Sequence, residues 1–239
     1  MSTDTPRIHV YTADITPLFG RELFSGAYCT VSAQRREKTD RLRFNKDKCL
    51  SLGAELLLLH ACRMSGVEYG AERIVTDAYE KPRFESCPLE FNLSHSDGRV
   101  MCVISDLPVG CDVQKTGQTE TAIARRFFHA DEYAALLACK TDAERNDLFY
   151  RLWTLKESFL KCTGRGFDLP LNRFCLSMSP DGIRVEQSVD EAQYRFYEND
   201  LNDGCKYACC VRVPAEEAAG LAEEPVWEEI ALEKVLLGR

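Results

Sequence analysis

Apolar positions recur along this chain with two periods. An alternating, strand-like stretch at residues 8–11 is followed by residues 34–65, which pass from Arg-rich to Leu-rich sequence with helical spacing and stop at Gly66. Short β-type runs then occupy 73–76, 90–93, 100–104 and 109–114. Residues 119–139 return to helical spacing with a break near His129 and Ala130. A third helix opens near Asn146 or Asp147, carries Trp153 through Lys161, and closes at Gly164. Strand runs come back at 174–178, 182–186, 194–198 and 206–213, and no linker or low-complexity tract interrupts the chain. This order predicts an α+β fold of two similar lobes, each a small, mainly antiparallel sheet packed against a long helix. The expected domains are an N-terminal lobe (1–106), a C-terminal lobe (107–214), and a peripheral, Glu-rich tail (215–239) with weak helical character and a solvated face.

Composition narrows the functional class. A chain of 239 residues, 45% hydrophobic and 28% charged, has enough apolar sequence for a full core. The apolar run 56–59 is bracketed by Glu55 and His60, far short of the roughly 20 residues of a membrane span. The polar start at 1–6 has no secretion-signal character, so a soluble, cytoplasmic protein without a membrane partner is expected. Twelve cysteines sit mostly in apolar stretches without a C-x-x-C pair, which points to reduced, buried thiols and away from structural zinc. A net charge of −8 argues against nucleic acid as a partner and requires local basic groups wherever an anion binds.

Three segments carry chemistry. In Gly110-Cys111-Asp112-Val113-Gln114, strand alternation puts Asp112 and Gln114 on one face and Cys111 and Val113 on the other; a D-x-Q alone is equally an exposed, half-polar strand. On the third helix, Trp153, Glu157 and Lys161 follow i, i+4, i+8 spacing and form a stripe drifting about 40° per step. Glu157 before Lys161 is also the spacing of a plain helix ion pair. With Trp153 and Phe159 enclosing the charges, the stripe favours a bound cation, and Asp112 with Glu157 are oxygen donors suited to Mg2+. The third segment, Phe91 through Asp97, passes from a strand into a polar turn where Ser94 and His95 can donate to anionic oxygens; a strand-ending Ser turn is the plain alternative.

Taken in order, Lys81-Pro82, Phe91-Asn92-Leu93-Ser94-His95-Ser96, the Gly110 to Gln114 segment, Arg126-Phe127-Phe128 with Glu132, and Trp153 to Lys161 followed by Gly164-Arg165-Gly166 resemble the 4'-phosphopantetheinyl transferases of the two-lobe, surfactin-synthetase-activating type. The resemblance implies Mg2+-dependent transfer of the phosphopantetheine arm of coenzyme A to a serine of an acyl or peptidyl carrier protein, releasing adenosine 3',5'-bisphosphate. Such carriers serve fatty-acid, polyketide or nonribosomal peptide synthesis. It places Asp112 and Glu157 as metal ligands, joined by Gln114 directly or through water, and makes Glu157, Lys161 and Asp112 the catalytic set. Lys81, Pro82, Ser94, His95, Asp112 and Lys161 correspond to coenzyme A contacts, with Arg35 and Lys38 near the 3'-phosphate. Glu132 matches an acidic residue near the metal site. Many relatives carry a glutamate where this chain has Gln114, which weakens the expected metal site and raises the alternative of a non-catalytic coenzyme A or carrier binder. Arg125, Arg126 and Phe127 are candidates for meeting an acidic carrier. Two fused lobes imply a monomer, and the acids at 112 and 157 are expected to meet across a cleft between the halves.

Overall fold

The computed structural model describes residues 8–69, 74–77, 79–118, 121–214 and 224–238; the expected strand start at Arg73 and tail residues 215–223 lie outside these. In chain order the elements are β1 (His9–Asp14), α1 (Arg21–Thr30), α2 (Ala33–Arg41), α3 (Asn45–Met64), β2 (Ile74–Thr76), β3 (Pro82–Phe84), β4 (Glu90–Ser96) and β5 (Arg99–Ser105). There follow β6 (Val109–Lys115), α4 (Thr121–Phe127), α5 (Ala130–Ala138), α6 (Asp142–Thr163), β7 (Cys175–Ser179), β8 (Gly182–Glu186), β9 (Gln193–Asn199) and β10 (Cys205–Val213). β11 (Val226–Glu229) and α7 (Leu232–Leu236) complete the chain. They form two compact units, one of Arg7–Asp106 with Pro225–Arg239 and one containing Leu107–Glu224.

The first unit is built around α3, on which Cys49 to Leu58 are buried without a break. A helix buried all round needs cover on more than one side. One side is the sheet β11-β1-β5-β4 and the other is α1, α2 and α7. At Gly53 a Cβ would fall 2.9 Å from the side chain of Ile15, just after β1, and 3.5 Å from those of Val100 in β5 and Leu232 in α7. The helical stretch expected over 34–65 is two helices. Arg35 Nε donates to Glu55 Oε2 at 2.6 Å and Thr39 Oγ1 to Ser51 Oγ at 3.1 Å, so polar α2 folds back antiparallel along α3. β4 runs through Ser96 and turns into β5 at Asp97 (φ 44) and Gly98 (φ 107), where positive φ suits a two-residue hairpin. Ser94 and His95 therefore lie in a strand, opposite Met101 and Val100, and not in a polar turn.

Residues 226–236 are not a peripheral tail. β11 pairs in parallel with β1 from His9↔Val226 to Thr12↔Glu229. Leu232 and Val235 are buried in the core around α3, and Glu229 binds Arg99 at 2.5 Å. The acidic residues that suggest a solvated face lie in β11, which is largely exposed, while Leu232 and Val235 of α7 reach the core.

In the second unit, α6 lies on the antiparallel sheet β6-β10-β9. It starts at Asp142, earlier than expected, because Thr141 and Glu144 form a capping box: Glu144 N donates to Thr141 Oγ1 at 3.1 Å and Thr141 N to Glu144 Oε2 at 3.2 Å. It ends at Gly164, whose φ of 69° supplies the left-handed cap. Phe159 packs against Phe174 and Tyr194 at ring separations of 4.6 and 4.7 Å. All twelve cysteines are free thiols. No helix among the described residues is long and apolar enough to cross a membrane.

Because Leu232 is 1% exposed against α3, Leu232→Ala should destabilise the protein by about 2–5 kcal/mol, the cost of a large-to-small core change. Urea unfolding measures it, and a change below about 0.5 kcal/mol, the size of a surface substitution, would contradict a core role for the C-terminal helix.

Candidate active site

Gly110 sets the geometry of the site. A Cβ there would lie 2.1 Å from Ser158 O and 2.3 Å from Cys162 N, so the backbones of β6 and α6 touch with no side chain between them. Alternation then turns Asp112 and Gln114 to the α6 side of the strand. From that helix Lys161 Nζ donates to Asp112 Oδ1 at 2.6 Å. Glu157, one turn before Lys161, shares this electrostatic neighbourhood. Burial raises its pKa, the charge of Asp112 adds to the rise, and Lys161 opposes it. Burial draws the pKa of Lys161 down, but Asp112, Cys111 and Glu157 outweigh that and hold it above its ordinary value.

Asp112, Glu157 and Lys161 all lie in the Leu107–Glu224 unit. The expected meeting of the two acids across a cleft between halves is therefore wrong: strand and helix of one unit bring them together. The expectation that Phe159 encloses the charges also fails, since two helical residues span about 200° and put it on the opposite, core face. Trp153 does stay on the Glu157 side and is held by Phe149 and Phe128 at 6.1 and 6.4 Å.

The donor set fits a hard divalent ion. Asp112 is 6% exposed, and two carboxylates against one ammonium leave the cluster one negative charge to neutralise. Gln114 donates through Nε2 to Lys115 O at 3.4 Å; its amide oxygen is the atom a cation would take.

Glu132 is engaged elsewhere. Its Oε1 accepts from Lys156 Nζ at 2.6 Å and from Leu176 N at 2.8 Å, and its Oε2 from His129 N at 2.9 Å. Lys156 is wholly buried, donates also to Phe174 O at 3.0 Å, and sits 4.2 Å from the Phe174 ring centre. Burial lowers its pKa and Glu132 restores part of the loss. This ion pair ties α5, α6 and the start of β7 together on the helix face turned away from Glu157. Sequence reasoning overlooked Lys156, although its place on the apolar stripe of Leu152, Leu155 and Phe159 marks it as a lysine needing a buried partner.

The remaining expected residues belong to the other unit. Arg35 holds Glu55, and burial lowers the pKa of Lys38, with the Arg35 charge adding to the effect. Lys81 N donates to Asp77 Oδ1 at 3.0 Å, and Pro82 opens β3. Ser94 is buried and His95 exposed on β4. On the second unit, Arg125 lines an open cavity of about 780 Å3 with Phe128, Tyr133, Asn172 and Arg173. Arg126 lies 5.0 Å above the Phe127 ring.

Comparison with known proteins gives a consistent result. The sequence model described as the 4'-phosphopantetheinyl transferase superfamily matches residues 108–212. Over 189 residues the chain is 35% identical to 4'-phosphopantetheinyl transferase Sfp of Bacillus subtilis, covering 77% of this chain and 83% of that protein. It is 36% identical over 190 residues to 4'-phosphopantetheinyl transferase psf-1 of Bacillus pumilus, covering 77% and 80%. Among solved structures, holo-[acyl-carrier-protein] synthase of Thermotoga maritima matches 45% of this chain and 64% of its own with a TM-score of 0.40 and 19% identity.

Two outcomes follow for the charged groups. A carboxylate whose folded pKa is raised favours the folded state at low pH and opposes it once pH passes that pKa. Glu157→Gln should therefore stabilise the metal-free protein at neutral pH, and the gain should vanish as pH falls from the raised value toward the ordinary 4.5. Chemical denaturation across that range measures it; a pH-independent difference would contradict the burial. Lys156→Met, which strands the Glu132 charge, should cost about 3–5 kcal/mol, and adding Glu132→Gln should recover most of it. A double-mutant cycle reads the coupling, and simple additivity would contradict it.

Proposed function

This chain belongs to the 4'-phosphopantetheinyl transferase superfamily, and from that premise we propose that it transfers the 4'-phosphopantetheine arm of coenzyme A to a serine hydroxyl of an acyl or peptidyl carrier protein, releasing adenosine 3',5'-bisphosphate. The observation that carries the reading is the joining of Asp112, Glu157 and Lys161 by the contact of α6 with β6 at Gly110.

Each of these residues has a task that suits its surroundings. Lys161, held protonated by Asp112, brings a fixed positive charge to the pyrophosphate oxygens. Such preorganised charge is the larger part of catalysis in phosphoryl transfer. Glu157 holds a proton more readily than an ordinary glutamate, which suits a carboxylate that takes the proton of the attacking serine. Asp112 orients Lys161 and, with Glu157 and with Gln114 directly or through water, would hold Mg2+. That ion would supply charge neutralisation at the breaking pyrophosphate.

Coenzyme A contacts are assigned to Lys81, Pro82, Ser94 and His95, with Arg35 and Lys38 toward the 3'-phosphate. Two cations near enough for one to lower the proton affinity of the other are relieved by an anion, and Lys38 beside Arg35 is such a pair. Arg35 gives one nitrogen to Glu55 and keeps further N–H groups for a phosphate oxygen. For the acidic carrier, Arg125, Arg126 and the 40% exposed Phe127 present basic and apolar surface on a protein of net charge −8. We expect a soluble, cytoplasmic monomer. No observation favours the non-catalytic binder.

Incubation of the protein with coenzyme A, Mg2+ and a panel of fatty-acid, polyketide and peptide carriers should add the mass of one phosphopantetheine arm to at least one carrier. Glu157→Ala should abolish the addition, and Lys161→Ala should slow it by about 10²–10³-fold, the usual worth of one preorganised charge donor. Wild-type protein that modifies no carrier, yet binds coenzyme A, would replace this reading with the binder.

A further inference from the structure

We propose that His129, Asp131 and Cys175 form a second metal site, for a borderline transition ion of the Zn2+ class, which clips the start of α5 to the first residue of β7. The Nδ1 or Nε2, carboxylate and Sγ atoms these residues offer lie within 4.8 Å of one another. Ligands around a tetrahedral ion with bonds of about 2.0–2.3 Å stand roughly 3.3–3.8 Å apart, so closure needs only small side-chain movements. The hydrogen bond from His129 N to Glu132 Oε2 fixes the backbone that carries the first two donors, and the one from Leu176 N to Glu132 Oε1 holds the third beside them.

The charges at the site point to a cation independently of the spacing. His129 Nδ1 accepts from Asp131 N at 3.4 Å, which makes it a lone-pair atom, yet Asp131 Oδ2 stands 3.3 Å from it. A metal ion at Nδ1 would take over the lone pair that Asp131 N now uses and would draw in the carboxylate oxygen beside it. Around Cys175 the nearby charges are Glu132, Asp131 and Glu186 against Lys156. Cys175 would bind the ion as a thiolate, so its proton would pass to the solvent as the site fills.

Nitrogen, oxygen and sulfur donors together select zinc-like ions and disfavour Mg2+, so this site and the one at Asp112 and Glu157 would take different metals. His129 and Asp131 open one helix while Cys175 opens a strand more than forty positions later, which is why sequence spacing shows no zinc pattern.

The test uses the full chain, stripped with a chelator and titrated with Zn2+ alone. A single equivalent should be retained and the melting temperature should rise with Zn2+ concentration. Replacement by Co2+ should give a thiolate-to-metal charge-transfer absorption that is lost in Cys175→Ser. Asp131 has an 83% exposed side chain, so Asp131→Asn should fold normally and weaken Zn2+ binding by at least about 10-fold, the smallest usual effect of removing even an outer partner. Wild-type protein that retains no Zn2+ would overturn the proposal. So would a Co2+ absorption unchanged in Cys175→Ser or, if that variant does not fold, a Zn2+ affinity unchanged in Asp131→Asn.

Discussion

Where β6 crosses α6, Gly110 leaves no room even for a methyl group, and the backbone of Ser158 and Cys162 fills the space. Helices normally stand off a sheet by the thickness of two layers of side chains. Removing one layer at a single point lets a short side chain on the strand, Asp112, reach a helix-borne group without a loop between them. The aspartate lies two residues beyond the contact and Lys161 one residue before the helix atoms that make it. The charges of Asp112 and Lys161 are thereby positioned by a strand and a helix in direct backbone contact, and the geometry of the cluster comes from a packing constraint.

α6 carries lysines five residues apart that serve opposite ends. Lys156 is sealed into the core with Glu132 and four hydrogen bonds shared between the two side chains and their neighbours, while Lys161 stays partly open beside Asp112. Buried ion pairs of the first kind add little net stability, but they are costly to break, and so they forbid alternative rotations of the helix. A 100° turn of α6 would take Lys156 from its partner before it moved Glu157 into the core. The cluster at Asp112 works in the other direction. Glu157 is kept in a place that opposes its own charge, a local cost in stability that leaves it ready to accept a cation or a proton.

Much of this arrangement can be read from residue order. The break at His129, the close of α6 at Gly164 and the strand character of Val109 to Lys115 follow from local rules of capping and alternation. The missing parts depend on what neighbours supply. Val226 to Glu229 reads as a solvated acidic segment because its charges dominate, yet Trp227 and its neighbours find a strand edge at β1 and Leu232 finds α3. The apolar residues of 50–58 fall on more than one face of α3, a sign that two layers must cover it, and only Ser51 and Glu55 interrupt them. Gly110 is the opposite case. A glycine in a strand indicates a bulge, a bend or a close approach, and nothing in the sequence says that the approaching backbone belongs to the helix bearing Glu157.

Gln114 raises the question of how much charge the metal site needs. Asp112 and Glu157 carry two negative charges and Lys161 returns one, so the protein side sums to one negative charge before coenzyme A arrives. A glutamate at 114 would deepen that to two and hold a divalent ion in the empty enzyme, whereas a neutral amide leaves the balance to be completed by the pyrophosphate itself. Mg2+ ordinarily binds through few protein carboxylates together with substrate phosphates and water. If the site works as proposed, with Gln114 the ion and coenzyme A would depend on each other more strongly, since each would bring the charge that the other lacks. By linkage that mutual dependence would be equal in both directions, so under the proposed function an amide in place of an acid at 114 would move metal capture from the free protein to the coenzyme A complex.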